Sequence, residues 1–172
     1  MPVSSRWVVA APKTNLVVGV ADMVASNDGN AELVTYSLGS CLGVTVYDPV
    51  RKVGGLLHLM LPDSRIDPQK AVTSPFMFVD TGVPRLFKTV FNLGGERSRV
   101  IIKVAGGAQF LDDQRIFNIG ERNILAFEEM ISRNGLAIHA RDTGGLNSRT
   151  LRFYLATGNV TIHSPGNAIR HL

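Results

Sequence analysis

Residues 33–62 read LVTYSLGSCLGVTVYDPVRKVGGLLHLMLP, and the fold is decided here. The run after Cys41 alternates, is rich in β-branched residues and closes at the turn residues Asp48-Pro49. The run GGLLHLM comes next, closed in turn by Pro62. Two such runs joined by the short segment 48–53 predict a hairpin with antiparallel strands over 42–47 and 55–61. The only cysteine of the chain, Cys41, lies just before the first strand, and His58 is set inside the apolar run of the second. Gly39 and Gly43 flank the cysteine and let the backbone turn sharply and approach a ligand closely. Cys41 is therefore expected where a loop enters a strand, with backbone N–H groups nearby of the kind an oxyanion needs. Antiparallel pairing sets the middle of the second strand beside the start of the first and brings His58 toward Cys41. The register of that pairing is not contained in the spacing.

A lone cysteine has two readings. It is a small buried hydrophobe, or, with a histidine to raise its thiolate fraction, a nucleophile. The cysteine and histidine alone do not choose between them. Thr35, six positions before Cys41, reads locally as an ordinary β-branched strand residue.

Working outward, Leu16 to Val24 predicts a first strand with a possible bulge at Gly19. Asp28-Gly29 within the polar cluster 26–30 signals a hairpin turn, and Glu32 to Tyr36 the returning strand. Val83, Leu86, Phe87, Val90 and Phe91 fall on one helical face. That helix starts either at Ser74-Pro75, with a kink at Pro84, or at a cap on Asp80 or Thr81 with Pro84 in its first turn. Gly94-Gly95 ends it. Residues 99–104, RVIIKV, form a nearly continuous apolar strand with both faces covered. Gly106-Gly107 follows without a phosphate-loop pattern and reads as a tight turn or close backbone packing. Residues 120–134 form the clearest helix, with Ile124, Phe127 and Ile131 on one face and Gly135 as the stop. Leu136–Ala140, Thr150–Ala156 and Val160–His163 read as closing strands. His139, His163 and His171 have no cysteine or carboxylate at metal-ligand spacing, while Asp142 and Gly144-Gly145 either border a site or serve a turn.

The 172 residues suit one domain, and 45% hydrophobic with 19% charged residues is a globular balance. A net charge of +4 suits an acidic partner. The charges are scattered and no basic–aromatic pattern marks a nucleic-acid surface. One cysteine excludes an intramolecular disulfide. No CxxC or HExxH pattern points to zinc. The apolar run WVVAAP is too short for a signal peptide and nothing reaches the length of a membrane span, so a cytoplasmic setting is expected. Organisation is expected as a tail or edge strand over 1–15, one domain over 16–163 and a tail over 164–172.

The run TYSLGSCLGVTVYDP, the spacing of Thr35, Cys41 and His58, and GGLLHLMLP resemble the CheD family of bacterial chemoreceptor glutamine deamidases. The likeness continues through IIKVAGGAQF, IGERN, RDTGG and TLRFYLATGNV, from Leu16 to Ile162. The resemblance implies a single α/β domain, a sandwich of largely antiparallel sheets with packed helices. It implies a catalytic site of Cys41 as nucleophile, His58 as base and Thr35 as third member, needing no cofactor. The implied substrates are glutamine side chains of methyl-accepting chemotaxis receptors, converted to glutamate with release of ammonia through a Cys41 thioester. A further implied partner is the chemotaxis phosphatase CheC, and the other reading is a binding module for receptors and CheC. The same chemistry would also serve a methyl ester, whereas a peptidase reading lacks an extended-substrate motif.

Overall fold

The structure is a computed structural model describing residues 14–109 and 118–172. Most of the expected N-terminal tail, 1–13, therefore lies outside the described residues, as does the end of the IIKVAGGAQF run at Phe110. Among the described residues there are two five-stranded sheets. The strands are β1 (Thr14–Val17), β2 (Asp22–Ser26), β3 (Ala31–Leu38), β4 (Leu42–Asp48), β5 (Val53–Leu59), β6 (Ile101–Gly106), β7 (Ala140–Thr143), β8 (Arg149–Tyr154), β9 (Asn159–His163) and β10 (Arg170–His171). The helices are α1 (Pro68–Thr73), α2 (Val79–Asn92) and α3 (Ile119–Arg133).

The first sheet runs β1-β3-β8-β9-β10 and the second β2-β5-β4-β6-β7. Pairing is antiparallel except for β1 with β3 and β6 with β7. Every residue of β4 and β5 is buried, which needs a layer on each side of the second sheet. Alternation along the strands shows what the layers are. Leu42, Val44, Val46, Leu57 and Leu59 pack against Val79, Val83, Leu86 and Val90 of α2 and Phe127 and Ile131 of α3. Tyr47, Leu56 and Ala105 face the other way, onto Leu33, Leu151 and Phe153 of the first sheet. The result is a sheet–sheet–helix arrangement, a mixed α/β domain of largely antiparallel sheets as the resemblance implied. Gly54 lets the sheets close: a Cβ there would sit 2.7 Å from Leu155 and 2.8 Å from Phe153.

The expected β4–β5 hairpin is present, with Leu42 opposite Leu59 and Asp48 opposite Val53. Asp48 stabilises its turn. The buried carboxylate accepts from Val50 N and Arg51 N in the turn, and from Glu96 N and the Arg99 guanidinium across it. Those donors outweigh burial and hold its pKa far below the usual carboxylate range.

Three expectations about strands and their pairing are corrected. Leu16–Val24 is not one strand but β1 and β2 in different sheets, broken at residues 18–21 where Ala21 has φ +56°. The cluster 26–30 does turn, with Ala31 N bonded to Asp28 O at 2.9 Å, but β2 and β3 belong to different sheets and form no hairpin. A turn signal specifies a local reversal and not the partner of the strand that leaves it. The strand expected at Leu136–Ala140 begins only at Ala140 and runs to Thr143, beside β6.

Helix α2 matches neither expected start. Pro75–Met77 form a separate 3₁₀ turn, and α2 begins at Val79 with Pro84 inside its second turn. Asp80 does not cap it; its carboxylate accepts from Ser64 N at 2.9 Å and Ser64 Oγ at 2.6 Å. Helix α1 was not anticipated, though it carries its own signal: Asp67 accepts from Lys70 N at 2.9 Å, and Pro68 takes the first position. At the C-terminal side, β10 pairs with β9 through Arg170 opposite Ile162. Among the described residues no helix is long and apolar enough to cross a membrane.

Candidate active site

Cys41 lies on the crossover from the first sheet to the second, between β3 and β4. The crossover begins with an irregularity in β3. Pairing with β8 is regular to Thr35 opposite Leu151 and then shifts before Leu38 opposite Arg149. Ser37 sits at φ +57°, Tyr36 and Ser37 are exposed, and Leu38 returns fully buried. Such a bulge bends a strand and redirects the chain beyond it.

The next three residues are held by their carbonyls. Gly39 O accepts from Ala108 N at 2.8 Å, Ser40 O from Asn123 Nδ2 at 3.0 Å and Cys41 O from Gly107 N at 2.8 Å. Gly106 makes this possible. Its φ is +113°, and a Cβ there would stand 2.1 Å from Cys41 O. The close-packing reading of Gly106-Gly107 is the one the structure realises, and what they pack against is the cysteine loop. Gly144 N bonds Gly106 O at 2.9 Å and Gln109 N bonds Gly145 O at 2.8 Å, so the Gly144-Gly145 turn supports that glycine segment from behind. Asp142 is occupied structurally, paired with Arg149 at 3.0 Å and Arg170 at 2.6 Å.

His58 stands directly opposite Gly43 in the hairpin and is fully buried. It shares the face of Leu56, toward the first sheet, and Cys41 packs against the same inter-sheet cluster. Cys41 is two residues from Gly43, so it is diagonal to His58; such diagonal positions are about 7–8 Å apart by Cα in a regular pair, within reach of long side chains. Gly43 puts no side chain between them. No hydrogen bond joins the two, and His58 Nε2 is buried with no partner among the described residues.

Thr35 reaches His58 from the opposite sheet. Its Oγ1 lies 2.7 Å from His58 Nδ1 and 2.8 Å from Val18 O. A hydroxyl has one proton to give, and a carbonyl can only accept. Both contacts are satisfied when Oγ1 donates to Val18 O and accepts from Nδ1–H. That fixes the neutral tautomer with Nε2 bare. Burial pushes the His58 pKa down to about 4, so the ring is neutral at pH 7. Burial also pushes the Cys41 thiol up, opposed by its own backbone N–H. The resting pair is thus thiol and neutral imidazole, with the imidazole's free lone pair on Nε2.

The other histidines stand apart: His139 Nδ1 accepts from Ile102 N at 3.1 Å, and His163 and His171 are exposed. Among the described residues no three His, Cys, Asp or Glu side chains group as a metal site. A groove of about 400 Å³ between α2 and α3, lined by Phe87, Phe91, Met130 and Leu136, lies on the helical face and includes none of Thr35, Cys41 and His58. Sequence reading missed Asn123, a fully buried amide in α3 that touches the cysteine loop. Its signal was present: Gly120, Asn123, Phe127 and Ile131 share the buried face, and a polar residue on such a face needs a partner.

The family model described as CheD chemotactic sensory transduction matches residues 60–164. A probable chemoreceptor glutamine deamidase CheD 1 of Syntrophus aciditrophicus is 48% identical over 92% of this chain and 99% of its own. Probable chemoreceptor glutamine deamidases CheD of Desulforamulus reducens and Pyrococcus horikoshii are 44% and 41% identical, over 94% and 83% of this chain and 98% and 88% of theirs. The family match covers more than half of the sequence and the relatives align along most of it, their own lengths included, so the chain belongs to the CheD family.

Proposed function

We propose that this chain is a protein-glutamine glutaminase that hydrolyses glutamine side chains of methyl-accepting chemotaxis receptors to glutamate. The substrate class rests on the relatives, which are named chemoreceptor glutamine deamidases. The residue roles rest on geometry, and one observation carries them. Thr35 spends its proton on Val18 O and takes the Nδ1–H of His58, which leaves Nε2 as a bare base on the face that Cys41 shares.

The mechanism is acyl transfer to water. Nε2 takes the Cys41 proton as the sulfur attacks the glutamine Cδ, and backbone N–H groups at the cysteine loop stabilise the oxyanion. The C–N bond breaks as Nε2–H protonates the departing nitrogen, which leaves as ammonia. Nε2 then takes a proton from water, whose oxygen attacks the thioester. The C–S bond breaks, glutamate is released and the proton returns to sulfur. Thr35 orients the ring throughout, as a third group does in other nucleophile–base pairs. A protein acting on receptors in this way is placed in the cytoplasm.

On the family resemblance, CheC is a further partner, bound over the same surface as the receptor. The test of the leading reading is ammonia release from a purified receptor fragment, by the chain and by Cys41→Ala. Release by the folded variant refutes the role of Cys41. Receptor binding with no glutamate formed under any condition would favour a binding module.

A further inference from the structure

Beyond the three residues of that reading, one buried side chain joins the two halves of the site. Asn123 is fully buried on α3. Its single amide nitrogen donates to Ser40 O at 3.0 Å and to Met60 O at 2.8 Å. Both partners are acceptors, so the NH₂ end must face them and Oδ1 must face away. Oδ1 is buried with no partner among the described residues.

The two acceptors are not arbitrary. Ser40 immediately precedes Cys41, and Met60 lies two residues past His58. The last β4–β5 pair is Leu42 with Leu59, so both carbonyls lie beyond the end of the hairpin ladder. There the chains part: Met60 N turns to Met77 O at 2.8 Å. Asn123 acts as a side-chain rung at the point where the backbone rungs have stopped. Helix α3 is held close enough to do this because Gly120 has no side chain; a Cβ there would be 2.6 Å from Ala108 O and Gly107 O. An unpaired buried Oδ1 is unfavourable, and an apolar residue would fill the position without it. What an apolar residue would not do is tie the two carbonyls together.

We propose that Asn123 is a positioning residue for deamidation, one that sets the separation of Cys41 and His58 by bridging Ser40 and Met60. The proposal rests on the Cys41–His58 reading above. A misplacement on the order of 1 Å in such a pair is worth up to about a hundredfold in rate. Asn123→Ala is therefore expected to lower kcat for receptor-fragment deamidation about tenfold or more with KM within about twofold. Phe127→Leu, one turn along the same buried face of α3 and bonded to neither carbonyl, should lower thermal stability while sparing kcat. Cys41 alkylation by iodoacetamide gives a second readout. His58→Ala should slow alkylation in the parent chain and have little further effect in Asn123→Ala, because the coupling is already broken. If His58→Ala leaves both alkylation and deamidation unchanged, the underlying reading fails. If His58→Ala matters but Asn123→Ala has normal kcat and full coupling, the positioning role alone is refuted, as it is if Phe127→Leu loses kcat in equal proportion. Should Asn123→Ala fail to fold, nitrogen-15 NMR of the unaltered chain decides: the Asn123 amide protons must exchange far more slowly than those of the exposed Asn92. Exchange at the same rate as Asn92 overturns the bridge.

Discussion

Replacing Thr35 by Val removes one oxygen from a fully buried site and leaves the shape of the side chain nearly unchanged. Two groups lose their partner, Val18 O and His58 Nδ1–H. Each buried unpaired group costs about 1–3 kcal/mol. The imidazole has an escape. It can move its proton from Nδ1 to Nε2, since without the hydroxyl neither nitrogen has a partner to fix the tautomer, and the proton then occupies the nitrogen proposed as the base. The larger loss is in the transition state, where the ring takes a second proton and the Nδ1–H bond to Thr35 stabilises the cation; losing about 1–3 kcal/mol there lowers kcat/KM by about tenfold to a hundredfold. Thr35→Ser keeps the hydroxyl and should retain most of the activity, with a small loss of stability from the missing methyl. Ammonia release on a receptor fragment measures the rate, thermal unfolding the stability, and nitrogen-15 shifts of the His58 ring the tautomer. Thr35→Val within about threefold of the parent kcat/KM would refute the reasoning, since a change of about 0.7 kcal/mol is below what one lost buried hydrogen bond should cost. Thr35→Ser as impaired as Thr35→Val would refute it too, by showing that the hydroxyl is not what matters.

Cys41→Ala should abolish ammonia release and leave the fold intact by circular dichroism and thermal unfolding, because Cys41 is only partly buried at a loop; unfolding would return it to the structural reading. The His58 pKa is depressed on folding, to about 4 from an ordinary 6.5, so the unfolded state binds a proton that the native state refuses; stability should fall with pH between about 6.5 and 4, by up to about 3 kcal/mol, and level off below, and His58→Gln should flatten that slope in denaturant titrations. With thiol and neutral imidazole at rest, the parent chain should show no Cys41-dependent thiolate absorbance at pH 7; a thiolate band abolished by Cys41→Ala would mean that the pair rests as ions. Gly106→Ala forces a Cβ to 2.1 Å from Cys41 O at a positive φ, so it should displace the cysteine loop and cost activity far more than the remote Gly166→Ala, which shares the positive φ but meets nothing.

The hairpin was legible because both strands and their turn are adjacent in sequence, and the local pattern of β-branched residues, glycine and proline contains the whole motif. The same locality explains the misreadings. Asp28-Gly29 specifies a reversal, yet whether the next strand pairs back or crosses to another sheet depends on Thr35, Leu151 and the β3–β8 pairing, more than a hundred residues apart in sequence. Leu16–Val24 is apolar throughout most of its length, and the break that splits it appears only in the φ of Ala21. Within the site, Cys41 and His58 were visible as residue types out of place in their surroundings. Thr35 was not, because a threonine in a strand is ordinary; its role rests on Val18 O and His58, which only the tertiary fold supplies. Asn123 in the IGERN run was marked only as a polar residue on the buried face of its helix; which groups it meets was not legible, since its partners are backbone carbonyls with no side-chain signature.

The three residues come from different layers, and that has an energetic consequence. Thr35 belongs to the first sheet, His58 to the second, and Cys41 to the stretch of chain that passes between them. No single element carries two of them, so their geometry is only as fixed as the packing of one sheet on the other. Packing beside the site is correspondingly close: Gly43, opposite His58, would place a Cβ 2.8 Å from Leu38 and 3.2 Å from Leu151. Leu38 and Leu151 are themselves fully buried in the inter-sheet core. Interiors packed at this density do not deform continuously. The side chains that hold the sandwich shut therefore also hold the Thr35–His58 hydrogen bond at its length. Core substitutions at Leu38 or Leu151 should act on His58 through the spacing of the sheets, whereas substitutions at the α2–α3 groove, on the far side of the second sheet, do not lie between the elements that carry Thr35, Cys41 and His58.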